Sequence, residues 1–65
     1  MIYRVVKKFA KSYSQYYKCY ITFNFNQEWE LIREYPDVVM IKRKGIMVEL
    51  PRFIFTECFR EVNKD

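Results

Sequence analysis

Gly45 is the only glycine in this chain of 65 residues, and it lies between two apolar runs, Val38-Val39-Met40-Ile41 and Ile46-Met47-Val48 followed by Leu50. A glycine adopts backbone angles that other residues avoid, so the lone one marks the tightest reversal the chain can make. With Lys44 and Gly45 as a hairpin loop, Arg43 faces Ile46, Lys42 faces Met47, Ile41 faces Val48, Met40 faces Glu49 and Val39 faces Leu50. This register puts Val39, Ile41, Val48 and Leu50 on one face as a core. It leaves Lys42 diagonal to Glu49 on the other face, beside Met40 and Met47. A slip by one residue would bury the charges, so the pairing is chemically specified.

The remaining punctuation comes from Pro36 and Pro51. Upstream, Glu28 to Glu34 (EWELIRE) reads as a half-buried strand with Trp29 and Leu31 inward and an irregular phase after Ile32. Tyr35-Pro36-Asp37 ends it, because proline fixes its own φ and Asp37 can bond the following backbone. Downstream, Pro51 suits a first helical position. Phe53, Ile54, Phe55, Cys58, Phe59 and Val62 then recur at helical spacing, which predicts a short helical turn near residues 51–57. CFREV reads as a brief closing edge strand, and Asn63 to Asp65 are expected to fray.

The N-terminal third fits two periods, because Ile2, Val5, Val6, Phe9, Tyr13, Tyr16, Tyr17 and Tyr20 suit a helix face while their composition suits strands. The β-branched and aromatic run YYKCYITFNF, and the lack of a good N-cap before Ile2, favour strand, loop, strand. Ser12 to Gln15 (SYSQ) is the expected connection, with strand formers resuming at Tyr16.

The chain is 51% hydrophobic and 20% aromatic, too apolar for a disordered tail, so one packed domain is expected. A domain this small hides only about 60% of its unfolded surface. Cores of this size are thin, and self-association is one way such domains gain stability. Cys19 and Cys58 are expected to be reduced core thiols, given no disulfide framework and no secretory signal. No run approaches the roughly 20 apolar residues of a membrane-spanning helix, which leads to the expectation of a cytoplasmic protein with no membrane partner.

The order of elements in EWELIREYPDVVMIKRKGIMVELPRFIFTECFREV resembles a Src homology 3 type barrel, and more narrowly small barrel proteins encoded by bacteriophages. The resemblance covers about half the chain and rests on strand and turn signals, not on a catalytic signature. It implies a mainly β fold, a small five-stranded antiparallel Src homology 3-like barrel with a helical turn. It also implies a non-catalytic binding domain, nothing narrower; the surplus of aromatic and basic surface on such a barrel leads to the expectation of a phage-type accessory protein that docks onto a host protein in the host cytoplasm. The chain departs from the family at the diverging turn, where Asn24, Phe25, Asn26 and Gln27 replace the usual glycine; asparagine tolerates left-handed angles. The family's ALYDY-like motif is missing, so proline-rich ligands are not implied.

The composition itself disfavours catalysis. With no histidine, the commonest general base and metal ligand is missing, and the two cysteines do not have a zinc spacing. Nor can a chain with one glycine form a Gly-rich phosphate loop, and Ser12 and Ser14 have no base beside them. Glu28, Glu30 and Glu34 read as a solvated acidic face. No cofactor or metal site is expected.

Charge is uneven as well as net positive, at +4. Arg4, Lys7, Lys8, Lys11 and Lys18 fall in the first twenty residues with no acid among them, whereas the next stretch is acidic. Such a segment attracts acidic partners of any class. The candidate partner-binding residues are Lys11, Tyr13, Tyr16, Tyr17 and Lys18, where aromatics interleave with cations, and Lys42, Arg43 and Lys44 at the hairpin tip beside Met40 and Met47. Tyrosines between lysines suit base stacking with phosphate pairing, which is the RNA or single-stranded DNA reading. Equally, the rings could fill a core while the lysines solvate an edge strand. Cations with adaptable methionines at a protruding tip suit a protein groove. A third reading makes the Phe-rich segment Phe53 to Phe59 a contact between identical subunits.

Overall fold

The computed structural model describes residues 1–8 and 10–62; Phe9, and the fraying expected of residues 63–65, lie outside the described residues. The elements in chain order are β1 (Ile2–Val5), β2 (Ala10–Ser14), β3 (Cys19–Phe23), β4 (Glu28–Glu34), β5 (Val38–Arg43), β6 (Ile46–Pro51), α1 (Arg52–Cys58) and β7 (Phe59–Glu61). Five strands form one sheet in the order β6-β5-β4-β1-β7, and β2 with β3 forms a separate hairpin. Every pairing is antiparallel. The fold is therefore mainly β with one short helix, and among the described residues strand pairing does not join the two ladders. The helix is not long and apolar enough to cross a membrane.

The β5–β6 hairpin adopts the register read from the sequence, from Val39 opposite Leu50 through Arg43 opposite Ile46, and extends it to Val38 opposite Pro51. Val39, Ile41, Val48 and Leu50 are buried. Lys44 and Gly45 both have positive φ, at 49° and 81°. Two consecutive left-handed residues match the right-handed twist of the strands they join, which is why so short a loop closes here. The irregular phase of β4 is a bulge: Leu31 pairs with Ile41 and Arg33 with Met40, leaving Ile32 as the extra residue.

Two local expectations need correcting. SYSQ is not the connection, because Ser12 and Ser14 belong to β2 and are buried. Small side chains at alternate positions let β2 lie against β6, and this packing outweighs the usual preference of serine for turns. The reversal falls instead on Gln15 to Lys18, closed by the Lys18 amide donating to the Ser14 carbonyl at 2.7 Å. The Tyr17 amide also donates to Ser14 Oγ at 3.1 Å, and Lys18 has φ 56°. The second correction is Pro51, which ends β6 with ψ 141° and caps α1 from outside. A proline lacks the amide that an inner strand needs, but β6 is an edge strand of its sheet. Helical spacing thus begins at Arg52, one residue late.

Arg52 fixes that junction. Its amide donates to the Asp37 carbonyl at 2.9 Å. The guanidinium donates to the Pro36 carbonyl at 3.1 Å, to the Tyr35 carbonyl at 2.6 Å and to Glu34 Oε1 at 3.1 Å. In the turn between β3 and β4 Asn26 takes φ 71°, the left-handed role that asparagine was expected to tolerate. Gln27 holds this turn, with Oε1 accepting from the Asn24 amide at 3.0 Å and from Trp29 Nε1 at 3.3 Å.

The core joins both ladders through aromatic rings. Phe23 meets Trp29 at 5.1 Å and Phe59 at 5.4 Å, both edge to face. Phe59 stacks on Phe55 at 5.2 Å, and Phe55 meets Tyr3 at 4.7 Å. Phenylalanine and tryptophan thus fill the interior, while Tyr13, Tyr16, Tyr17 and Tyr20 stay exposed. The Phe-rich segment is spent largely on this core: Phe55, Cys58 and Phe59 are buried, and Phe53 is left 72% exposed.

Truncating a buried phenylalanine costs about 3–5 kcal/mol, and a chain of this length has about 3–10 kcal/mol in all. Phe23→Ala is therefore expected to abolish the folded state, read as loss of near-ultraviolet dichroism and of amide dispersion. Phe23→Leu should retain both. A second expectation concerns the loop: Lys44→Asn should stabilise by about 0.5–1 kcal/mol and Gly45→Ala should destabilise by about 1 kcal/mol, since a side chain at left-handed φ is strained. The space around Gly45 is open, so thermal melts of the two variants report backbone strain and not a clash.

Candidate functional site

The β2–β3 turn leans over the outward face of β5 and β6, and between them lies a groove of about 650 Å³. Strand alternation sets its floor. Residues facing the core at Val39, Ile41, Val48 and Leu50 force Val38, Met40, Met47, Glu49 and Pro51 to the other side. The wall is Tyr13, Ser14, Gln15, Tyr16 and Tyr17. Tyr16 and Tyr17 meet edge to face at 4.9 Å, which orients two rings of the wall against each other.

Of the residues named from the sequence, Tyr13, Tyr16 and Tyr17 line this groove together. Lys11 points elsewhere, over the Tyr20 ring at 5.1 Å from its centroid, and Tyr20 in turn meets Tyr13 edge to face at 5.3 Å. Lys18 ends the turn. Lys42 faces Met47 across the ladder, with Glu30 on its other side. Arg43 and Lys44 lie at the far tip of the hairpin, outside the lining. The basic tip and the tyrosine turn are therefore separate features.

Glu49, Val38, Gln15 and Pro51 were not singled out from the sequence. The register held the signal for the floor, since residues 38, 40, 47, 49 and 51 share one face. The wall could not be found that way, because it depends on the hairpin folding over a strand more than twenty residues later.

Three of the seven described acidic side chains are ion-paired. Glu28 accepts from Arg4 at 2.9 Å, Glu34 from Arg52 at 3.1 Å, and Glu57 lies 3.5 Å from Lys7, all at exposed positions. Such pairs contribute at most about 1 kcal/mol each. They do neutralise part of the basic N-terminal segment. Glu49 has no cation within ion-pairing distance among the described residues. No group of three His, Cys, Asp or Glu side chains comes together among the described residues.

A smaller hollow of about 550 Å³ lies beside α1, lined by Pro36, Asp37, Arg52, Phe53, Thr56 and Glu57. Its arginine is already committed to the β4–β5 turn. The two cysteines are both free, but only Cys58 is a core thiol; Cys19, the first residue of β3 after the turn, is exposed. Burial, and then the neighbouring Glu57, push the Cys58 thiol above its ordinary value.

Comparison of the chain with family profiles, with curated proteins and with solved structures found no match, so its function is read from geometry.

The thiols give a direct check on this arrangement. A thiol reagent near neutral pH is expected to modify Cys19 at once and Cys58 only at the rate of global opening, since the buried thiol also ionises less readily. Equal rates at both positions would contradict the placement of α1.

Proposed function

We propose that this chain is a non-catalytic protein-binding module, and that the groove between the β2–β3 turn and the outward face of β5–β6 is where a segment of the partner docks. The observation that carries this reading is the convergence of Tyr13, Tyr16 and Tyr17 with Met40 and Met47 in one groove. Tyrosine supplies large contact area with few torsions to freeze, and methionine adapts to irregular apolar shapes. Both are enriched where proteins meet. Lys42, Arg43 and Lys44 form a second, basic contact at the hairpin tip that steers encounter with an acidic face of the partner.

The strand order supports the narrower fold reading, a Src homology 3-like barrel. A β4-β5-β6 meander is extended beyond β4 by β1 and then β7, a hairpin is inserted in the chain between β1 and β4, and a helix separates β6 from β7. With that reading goes the phage-type accessory role on a host protein in the host cytoplasm.

The nucleic-acid alternative draws on Lys11 over Tyr20, which leaves a cation and aromatic rings on the outward side of the hairpin. Against it, the groove itself carries a carboxylate and no cation in its lining. The self-assembly alternative has Phe53 as the one exposed apolar side chain in its segment, with Ile54 half-buried.

Capture from bacterial lysate with nuclease treatment separates these readings. A protein retained after nuclease by the native chain, and lost with Tyr17→Ala and with Met47→Lys, is the expected result; both positions are exposed enough to change without unfolding the domain. Recovery of nucleic acid alone, with affinity falling steeply as salt rises, would replace it with the second reading. Light scattering that shows an oligomer dispersed by Phe53→Ser would establish the third.

A further inference from the structure

We infer that the groove is built to receive an arginine side chain of the partner segment, seated against the Glu49 carboxylate and the tyrosine rings. This rests on the groove being the docking surface, and it names the chemistry of the residue that enters.

Charge complementarity is the first reason. Glu49 is the only charged residue in the lining, and among the described residues no cation of the chain pairs with it. Opposite it on β5 stands Met40, an uncharged neighbour, and Lys42, diagonal to it on the same face, makes no ion pair with it. Arg33 lies beyond Met40 on β4, about 10 Å away at two strand spacings. An anionic occupant would be repelled by Glu49, whereas a cation would be paired.

The wall gives the second reason. Tyr13, Tyr16 and Tyr17 are 45%, 84% and 40% exposed, so ring surface is available to a ligand. The faces of aromatic rings attract cations within about 6 Å of the centroid. The chain already makes such a contact one residue pair away, where Lys11 Nζ stands 5.1 Å from the centroid of Tyr20. The floor of Val38, Met40, Met47 and Pro51 suits the aliphatic stem that precedes a charged head. Arginine fits better than lysine, because its planar group stacks on a ring while donating two hydrogen bonds to one carboxylate. Lys42, beside the floor at Met47, limits the segment to a single cation.

The test uses N-acetyl-arginine amide against its neutral isostere N-acetyl-citrulline amide, titrated into the whole domain and followed by Met methyl and Tyr ring resonances. Saturable shifts at Met40, Met47, Tyr13, Tyr16 and Tyr17 are expected with arginine, and about 3- to 10-fold weaker binding with citrulline. Glu49→Gln should reduce arginine binding by a similar factor. Equal binding of citrulline, no saturable shift with arginine, or an unchanged response in Glu49→Gln would each overturn the proposal. So would a single-stranded oligonucleotide that shifts the same resonances and binds more tightly to Glu49→Lys. The arginine–citrulline comparison needs no variant, so it stands even if a substitution impairs folding. A protein partner lost with Tyr17→Ala but held equally by Glu49→Gln would keep the docking surface and remove only the arginine.

Discussion

The contact of Phe23 with Trp29 and Phe59 is the interaction on which the rest of the molecule depends. No strand pairing joins the β2–β3 hairpin to the five-stranded sheet among the described residues. The hairpin must therefore be held by side chains. Phe23 is the last residue of β3, is wholly buried, and touches rings from β4 and β7 at once. In so small a domain, edge-to-face packing of large rings is an efficient way to remove apolar surface from water, because each ring hides much area for few torsions. The small inward residues Ala10, Ser12 and Ser14 complement it, since larger ones would hold β2 away from β6.

The groove follows from these two facts. Phe23 anchors one end of the hairpin in the core, and the serines let the opposite end lie close to β6. The turn that joins them is then carried over the outward face of β5–β6. Its tyrosines have no room inside, so they stand as a wall above a floor of methionines. The groove is thus a by-product of how the hairpin is fastened, and the same geometry keeps the basic β5–β6 tip apart from it.

The parts legible in the sequence were those set by neighbours along the chain. The register about Gly45, the bulge after Leu31, the Pro36 turn and the short helix all follow from alternation and turn chemistry over a few residues. Ser12 and Ser14 were misread because a strand that packs closely against another needs small residues, and small polar residues otherwise signal a turn. Cys19 was expected in the core for want of a disulfide framework, yet it opens β3 just after the turn and is exposed. Tyr13, Tyr16 and Tyr17 could be named as candidates from their cationic surroundings. Glu49 could not, because it becomes part of a groove only when the distant hairpin closes over it.

Arg52 lends the groove a property that its lining does not show. It ties the helix start to the carbonyls of Tyr35 and Pro36, immediately before Val38, while Pro51, its chain neighbour, pairs with Val38 on the groove floor. One extremity of the floor is thereby splinted by a residue outside the groove lining. The opposite extremity, toward Ile46 and Met47, has no such side-chain brace among the described residues and is closed only by the two-residue Lys44–Gly45 turn. The braced end is thus held in one shape by the fold itself, so any segment seated there would forfeit little conformational freedom.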